Sequence, residues 1–113
     1  MSYDLTFDCG SLPEKYQGQG GTYAPGGTME PWLNVTYNYA VHFVSVFGMG
    51  GIRNLHGKTA KEVLGMLEVA IPMLGTDVHE SYWEPTEGNA RKALEDLREL
   101  AKLVPEGSVL SVT

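Results

Sequence analysis

Hydrophobic and polar residues alternate at two places in the first third of the chain. Every second residue between Tyr3 and Cys9 is apolar, which is the pattern of a strand with one buried face. The same alternation runs from Trp32 to Tyr39, where most of the intervening residues are polar. We therefore predict two strands, over residues 3–9 and 32–39.

The second half of the chain begins with the pattern of an amphipathic helix. Thr59 and Glu62 have the spacing of a capping box, in which each side chain binds the main chain of the other residue. Apolar residues then recur at helical intervals until Gly75, which suits a helix end. Because proline disrupts a helix interior, Pro72 is expected to kink or shorten the last turn.

A second helical stripe of apolar residues covers positions 90–104. Thr86 or Gly88 is expected to open this helix, and the proline at position 105 to end it. Residues 108–112 have the composition of a further short strand. The run from 40 to 47 has an ambiguous period, so the pattern alone leaves both a strand extension and a short helix open.

These elements predict an α+β fold in a single small domain spanning residues 1–113. Two or three short antiparallel strands are expected to pack against about three helices. A chain of 113 residues buries roughly two thirds of its unfolded surface, which is enough for one modest core.

Charge and cysteine content narrow the classes of function. The net charge of −6 argues against direct binding of DNA or RNA. No apolar run has the length of a membrane span, and the single cysteine, Cys9, excludes an internal disulfide and fits a reducing cytoplasm. The three histidines lack zinc-like spacing, and no cofactor motif is present. We therefore expect a cytoplasmic protein without metal, cofactor or membrane contact.

The first candidate binding segment runs from Gly20 to His42. Two glycine pairs bracket residues 22–25 and indicate a shaped loop, since glycine allows the backbone to approach a ligand closely. The following polar row offers uncharged donors and acceptors suited to a base edge, a ribose or a peptide. Such a row also occurs on strands whose polar face only meets water. The candidate residues here and in the next connector are Gly21, Thr22, Tyr23, Asn34, Thr36, Asn38, His42 and Arg53.

The second candidate segment precedes the last helix. Tyr82 and Trp83 have aromatic faces suited to stacking on a base or a sugar, and Arg91 is suited to a phosphate. The free N–H groups at a helix N-terminus favour an anion. The alternative is structural: Trp83 acts as a hydrophobic staple and Thr86 as the helix cap.

Charge is scarce and tyrosine is common in the first 57 residues. They hold six of the charged residues and five of the six tyrosines. A surface of this composition is typical of protein interfaces. We therefore expect a homo-oligomer, or contact with another protein, through this half of the chain.

Two segments of the chain resemble a known family. The words GGTY followed by WLNVTYNY, and YWEPTEGNA, are similar to those of a family of small proteins found in bacteriophages, prophages and other mobile elements of Firmicutes and related bacteria. The resemblance covers most of the chain and implies a setting, without catalytic residues. Relatives often have Ser-Pro where this chain has Ala40 and Val41, which favours a helix over residues 40–47.

Three functional hypotheses follow. The first is a non-enzymatic phage accessory protein that binds a small polar ligand, such as a nucleotide-type signal, and thereby antagonises host defence. The second is an inhibitor or adaptor that binds a host protein through its tyrosine-rich surface. The third is a small hydrolase that uses one of the histidines.

Overall fold

A three-stranded antiparallel sheet with the order β2–β1–β3 organises the molecule. The structure is a computed structural model and describes residues 1–13 and 29–113. Strand β1 spans Ser2–Phe7, β2 spans Trp32–Thr36 and β3 spans Leu110–Val112. The first strand of the chain is therefore central, and the chain's last strand closes one side of the sheet.

Among the described residues, three α-helices complete the fold, and the predicted α+β class is confirmed. Short 3₁₀ helices precede α1, connect α1 to α2 and extend the end of α2. In the part of the chain that the structure describes, no helix has both the length and the apolar character needed to cross a membrane. The bounds are α1 Ala40–Phe47, α2 Ala60–Ala70 and α3 Glu87–Leu103, with 3₁₀ helices at Tyr37–Tyr39, Gly51–Leu55 and Ile71–Met73.

The core lies between one face of the sheet and the apolar stripe of α3. The alternation in β1 and β2 buries Leu5, Leu33 and Val35 completely, and Leu94 and Leu97 of α3 are equally buried. Helix α3 contacts both β2 and α2, and α1 contacts α3. Strand β2 and the loop before α3 are therefore attached to the same core.

The predicted strand over residues 32–39 is wrong beyond Thr36. The Thr36 hydroxyl accepts a hydrogen bond from the Asn38 main chain at 3.2 Å and caps the 3₁₀ helix that follows. This local bond turns the chain out of the sheet, because a threonine side chain can compete with the ladder for a backbone N–H. The helix over residues 40–47 follows at once, as the resemblance favours. Strand β1 likewise ends at Phe7, short of Cys9.

The start predicted for α2 and its shortening by Pro72 are confirmed, whereas the end expected at Gly75 is wrong. The Glu62 main chain donates to the Thr59 hydroxyl at 3.3 Å, and the Thr59 main chain donates to the Glu62 carboxylate at 3.0 Å. The hydrogen bond from the Thr59 backbone, and then that from its side chain, lowers the pKa of Glu62. The α-helix ends at Ala70, two residues before Pro72, and only a 3₁₀ turn continues past it.

Candidate functional site

Part of the first candidate segment lies outside the described residues. Gly21, Thr22 and Tyr23 belong to this part, so the glycine-rich loop stays a prediction. The remaining candidate residues all lie in the described ranges.

The two candidate segments meet in space at the start of α1. The side-chain amide of Asn38 donates to the Trp83 carbonyl at 2.8 Å. His42 Nε2 lies 2.7 Å from the Pro85 carbonyl, and because a carbonyl only accepts, this nitrogen carries the proton. The polar side of the first segment therefore binds the main chain of the second.

Residues 79–86, which we call the aromatic loop, are also fastened from beneath by Asn89. This asparagine is buried in the first turn of α3. Its Oδ1 accepts from the His79 main chain at 3.0 Å, and its Nδ2 donates to the carbonyls of Ser81 and Glu84 at 3.0 and 3.1 Å. Asn89 is not among the candidate residues that the sequence predicted for the site.

The aromatic side chains of this loop point to solvent. Tyr82 is 41% exposed and Trp83 is 52% exposed. Their rings lie 5.5 Å apart, edge to face, at an interplanar angle of 82°. A hydrophobic staple would be covered, so that alternative does not describe Trp83, whereas Thr86 does cap α3 by accepting from the Asn89 main chain at 3.1 Å.

Several predicted ligand donors bind other groups of the same chain. The Asn34 amide donates to the Ser2 hydroxyl at 2.6 Å and to the Asp4 carboxylate at 3.1 Å. Arg91 donates to the Leu74 carbonyl at 3.0 Å, and the Thr36 hydroxyl caps the 3₁₀ helix. These residues hold secondary-structure elements together, and their role as ligand contacts stays a prediction.

Arg53 lies at a different place, over two tyrosines. Its guanidinium carbon is 5.0 Å from the ring centre of Tyr3 and 5.7 Å from that of Tyr37. The two rings are 4.6 Å apart and nearly perpendicular. This arrangement is a cation–π contact that fastens the connector after α1 to β1.

The expected tyrosine-rich surface is not formed by the tyrosines of the sheet region. Tyr3 is 5% exposed and Tyr39 is completely buried, because the strand and the 3₁₀ helix turn both rings toward the core. Tyr37 is half-buried. Tyr82, in the other half of the chain, is by contrast exposed. The prediction that the first 57 residues present tyrosines for contact is therefore wrong for Tyr3 and Tyr39.

The buried phenol of Tyr39 resists ionisation. Burial is the main reason why the pKa of Tyr39 is raised from 10.0 to about 12, and the neighbouring Tyr82 and then Asp96 add to the shift. Asp96 is itself buried on α3, at 8% exposure. The folded state therefore strongly favours the protonated phenol at this position.

We expect Tyr39 to make the protein less stable in alkaline solution. A folded-state pKa above the unfolded one leaves stability unaffected below pH 10 and lowers it as the pH rises from 10 toward 12, because only the unfolded chain then releases the proton. Urea unfolding across this window is the measurement. The control is Tyr39→Phe, whose stability should fall less steeply, and parallel curves for the two proteins would contradict the assignment.

The histidines bind the main chain. His56 Nδ1 accepts from the Val112 N–H at 3.0 Å, and His79 Nδ1 accepts from the Ser81 N–H at 3.0 Å. Among residues 1–13 and 29–113, no cluster of three or more His, Cys, Asp or Glu side chains has the geometry to hold a metal ion. In these hydrogen bonds the histidine side chains hold the main chain in place.

A groove of about 600 Å³ lies between α1 and α2. Its lining is largely apolar and includes Val46, Phe47, Met66 and Val69. The described lining contains no residue of the two predicted segments. The site predicted from the sequence therefore lies apart from this groove, around the aromatic loop.

Comparison with known proteins adds no relative to this picture. No family model, no curated protein and no solved structure matches the chain.

Proposed function

We propose that this protein acts by binding another protein, without chemical turnover, through the surface formed by Tyr82 and Trp83. The observation that carries the proposal is the half exposure of both rings on a loop whose main chain is bound by side chains on either side of them, at the Ser81 and Trp83 carbonyls. Tyrosine and tryptophan are the side chains most enriched among residues that dominate the free energy of protein–protein binding.

Because the aromatic loop is attached to the rest of the protein, it should lose little conformational entropy when it binds a partner. Asn38 and His42 hold the carbonyls of Trp83 and Pro85 from one side, and Asn89 holds the loop from the other. A side chain presented on a rigid backbone loses less conformational freedom when it binds. The loop therefore has the organisation of a recognition element.

Helix α1, which binds the loop, also carries exposed apolar side chains. Val41 and Val44 are 68% and 47% exposed, and Val41 directly precedes His42, which binds the loop. Exposed apolar side chains that form a patch are typical of interaction sites. Glu80, two residues before Tyr82 in the chain, is also exposed. The partner that fits is a protein with an apolar pocket bordered by basic residues, and in the setting implied by the resemblance it is a host protein.

The small-ligand hypothesis stays a prediction. The amides of Asn34 and Asn38 and the guanidinium of Arg91 already bind groups of the chain, which favours the protein-partner hypothesis over it. Native mass spectrometry of the protein purified from bacterial cells distinguishes the two. A stoichiometric nucleotide-like mass released on denaturation would support the ligand hypothesis and overturn the present order of preference.

Truncation of either aromatic side chain is expected to weaken partner binding. Affinity capture from a host lysate identifies the partner, and titration calorimetry with the purified partner then measures its affinity. Trp83→Ala should weaken binding by about 30-fold or more, equivalent to about 2 kcal/mol, and Tyr82→Ala by a smaller factor.

The matched control is Val69→Ala, which also removes an exposed apolar side chain but lies on α2 in the groove. It should leave the affinity within about twofold of the unchanged protein. Equal affinities for Trp83→Ala and Val69→Ala would overturn the proposal.

A further inference from the structure

The two edges of the sheet differ in whether their outward main-chain groups are already hydrogen-bonded. The outer edge of β3 is closed by the connector that precedes α2. The Leu110 N–H donates to the Lys58 carbonyl at 2.8 Å, and the Gly57 N–H donates to the Leu110 carbonyl at 2.8 Å. The remaining outward amide, that of Val112, donates to the His56 ring at 3.0 Å. This edge offers no row of free groups to another strand.

The outer edge of β2 follows from the register of its pairing with β1. The Phe7 N–H donates to the Pro31 carbonyl, and the Tyr37 N–H donates to the Met1 carbonyl. Hydrogen-bonded pairs alternate along an antiparallel ladder, so Leu33 and Val35 direct their main-chain groups to β1. The main-chain groups of Asn34 and Thr36 therefore point away from the sheet.

Among the described residues, no acceptor binds the outward amides of Asn34 and Thr36. The outward amide of Trp32 already donates to the Glu30 carbonyl at 2.8 Å, and the Thr36 residue opens the 3₁₀ helix. The edge consequently offers two donors, at Asn34 and Thr36, and two acceptors, the carbonyls of Trp32 and Asn34. An open row of this kind is a template for another strand.

We propose that β2 of a second copy of this chain pairs antiparallel with this edge, around a two-fold axis at Asn34. In this register the Asn34 residues of the two copies exchange N–H···O bonds. The Thr36 amide of each copy donates to the Trp32 carbonyl of the other. The register uses the two donors and the two acceptors that the edge leaves open, and it joins two sheets into one of six strands.

Self-pairing fits this strand because β2 contains no charged residue. A two-fold axis sets each residue against itself or a close neighbour, so a charge in the strand would face its own sign. The nearest carboxylate on the same face is Asp4, which pairs with Asn34. Two copies of Asp4 would lie three strand spacings apart, about 14 Å, beyond the screening length of about 8 Å in physiological salt.

The pairing also places complementary side chains opposite one another. On the exposed face, Trp32 of one copy meets Thr36 of the other, and aromatic and β-branched residues form favourable cross-strand pairs. On the core face, Leu33 meets Val35. The dimer contacts are main-chain groups of β2, whereas the proposed partner contacts are the rings of Tyr82 and Trp83, so the two proposals are tested by different variants.

The test is Thr36→Pro against Thr36→Ala in sedimentation equilibrium, from micromolar to sub-millimolar protein. Thr36 has φ −63° and ψ 143°, which proline adopts without strain, and its amide is not needed by β1. Both variants lose the hydroxyl cap, but only proline removes the outward donor. We expect the unchanged protein and Thr36→Ala to dimerise, and Thr36→Pro to have a dimer dissociation constant at least tenfold higher.

Hydrogen exchange in the unchanged protein gives the same answer without a variant. The amides of Asn34 and Thr36 should lose protection on dilution, whereas those of Leu33 and Val35, which bind β1, should keep it. The proposal is overturned if the unchanged protein is monomeric throughout this range, or if Thr36→Pro dimerises as well as Thr36→Ala. It is also overturned if the amides of Asn34 and Thr36 exchange freely at every concentration, because the edge then meets only water. Protection that is equal at every concentration would overturn it as well, because the edge is then covered by its own chain.

Discussion

Replacing Asn89 with alanine is expected to lower the free energy of unfolding by about 3 kcal/mol and to release the aromatic loop. The side chain is 2% exposed and makes three hydrogen bonds to the loop main chain. Its removal leaves the His79 N–H and the carbonyls of Ser81 and Glu84 without their partner in a partly buried place. Each such loss carries the desolvation penalty of a main-chain group.

The matched control for this variant is Asn38→Ala. Asn38 is also an asparagine that binds the loop, but it is exposed and makes a single bond to the Trp83 carbonyl. Water can replace that bond, so Asn38→Ala should lose less than about 1 kcal/mol. Urea unfolding of both variants measures the difference. If the two losses were equal, buried attachment by Asn89 would not be what orders the loop.

The Asn89 variant also tests whether an ordered loop backbone contributes to partner binding separately from the two aromatic side chains. Asn89→Ala keeps both Tyr82 and Trp83 but removes the attachment that holds their backbone. If preorganisation contributes to partner binding, this variant should bind more weakly although no contacting side chain is changed. Unchanged affinity would indicate that the loop reaches its bound shape without help from α3.

The helices were predictable because their determinants are local. The capping box of Thr59 and Glu62 depends on two residues three apart, and Pro72 limits α2 through its own ring. The same holds for Thr36 in retrospect, since its hydroxyl caps the residue two positions later. There the prediction failed because an alternating pattern and a competing side-chain bond occupied the same residues, and the bond determined the chain direction.

The sequence predicted side chains of the candidate site but not the main-chain groups that they bind. The sequence singled out Asn38, His42 and Trp83, but the contacts between them join side chains to main-chain carbonyls 43 to 45 residues away. A carbonyl has no residue type, so no sequence pattern marks it as a partner. The burial of Tyr3 was indicated by the alternation of its strand, and the expectation of an exposed tyrosine surface failed because it rested on composition, which does not tell which face a ring occupies.

Gly88→Ala is expected to destabilise the protein by about 3 kcal/mol, although alanine is the better helix former. A β-carbon at this position would lie 2.6 Å from the Asp77 carbonyl carbon and 2.6 Å from the Val78 nitrogen. Both are main-chain atoms, so the segment before the aromatic loop would have to move as a whole. That movement also disturbs the bond from the Gly88 N–H to the Asp77 carboxylate, at 3.2 Å.

The same substitution at Gly65 is expected to change the free energy of unfolding in the opposite direction. Gly65 lies inside α2, and a β-carbon there would meet nothing within 4 Å. Gly65→Ala should therefore stabilise the protein by about 0.5 to 1 kcal/mol through helix propensity alone. Thermal or urea unfolding of the two variants isolates the packing of α3 against residues 77–78, because the chemical change is identical. A gain in stability for both would mean that this close approach is absent in solution and that the aromatic loop lacks its rigid base.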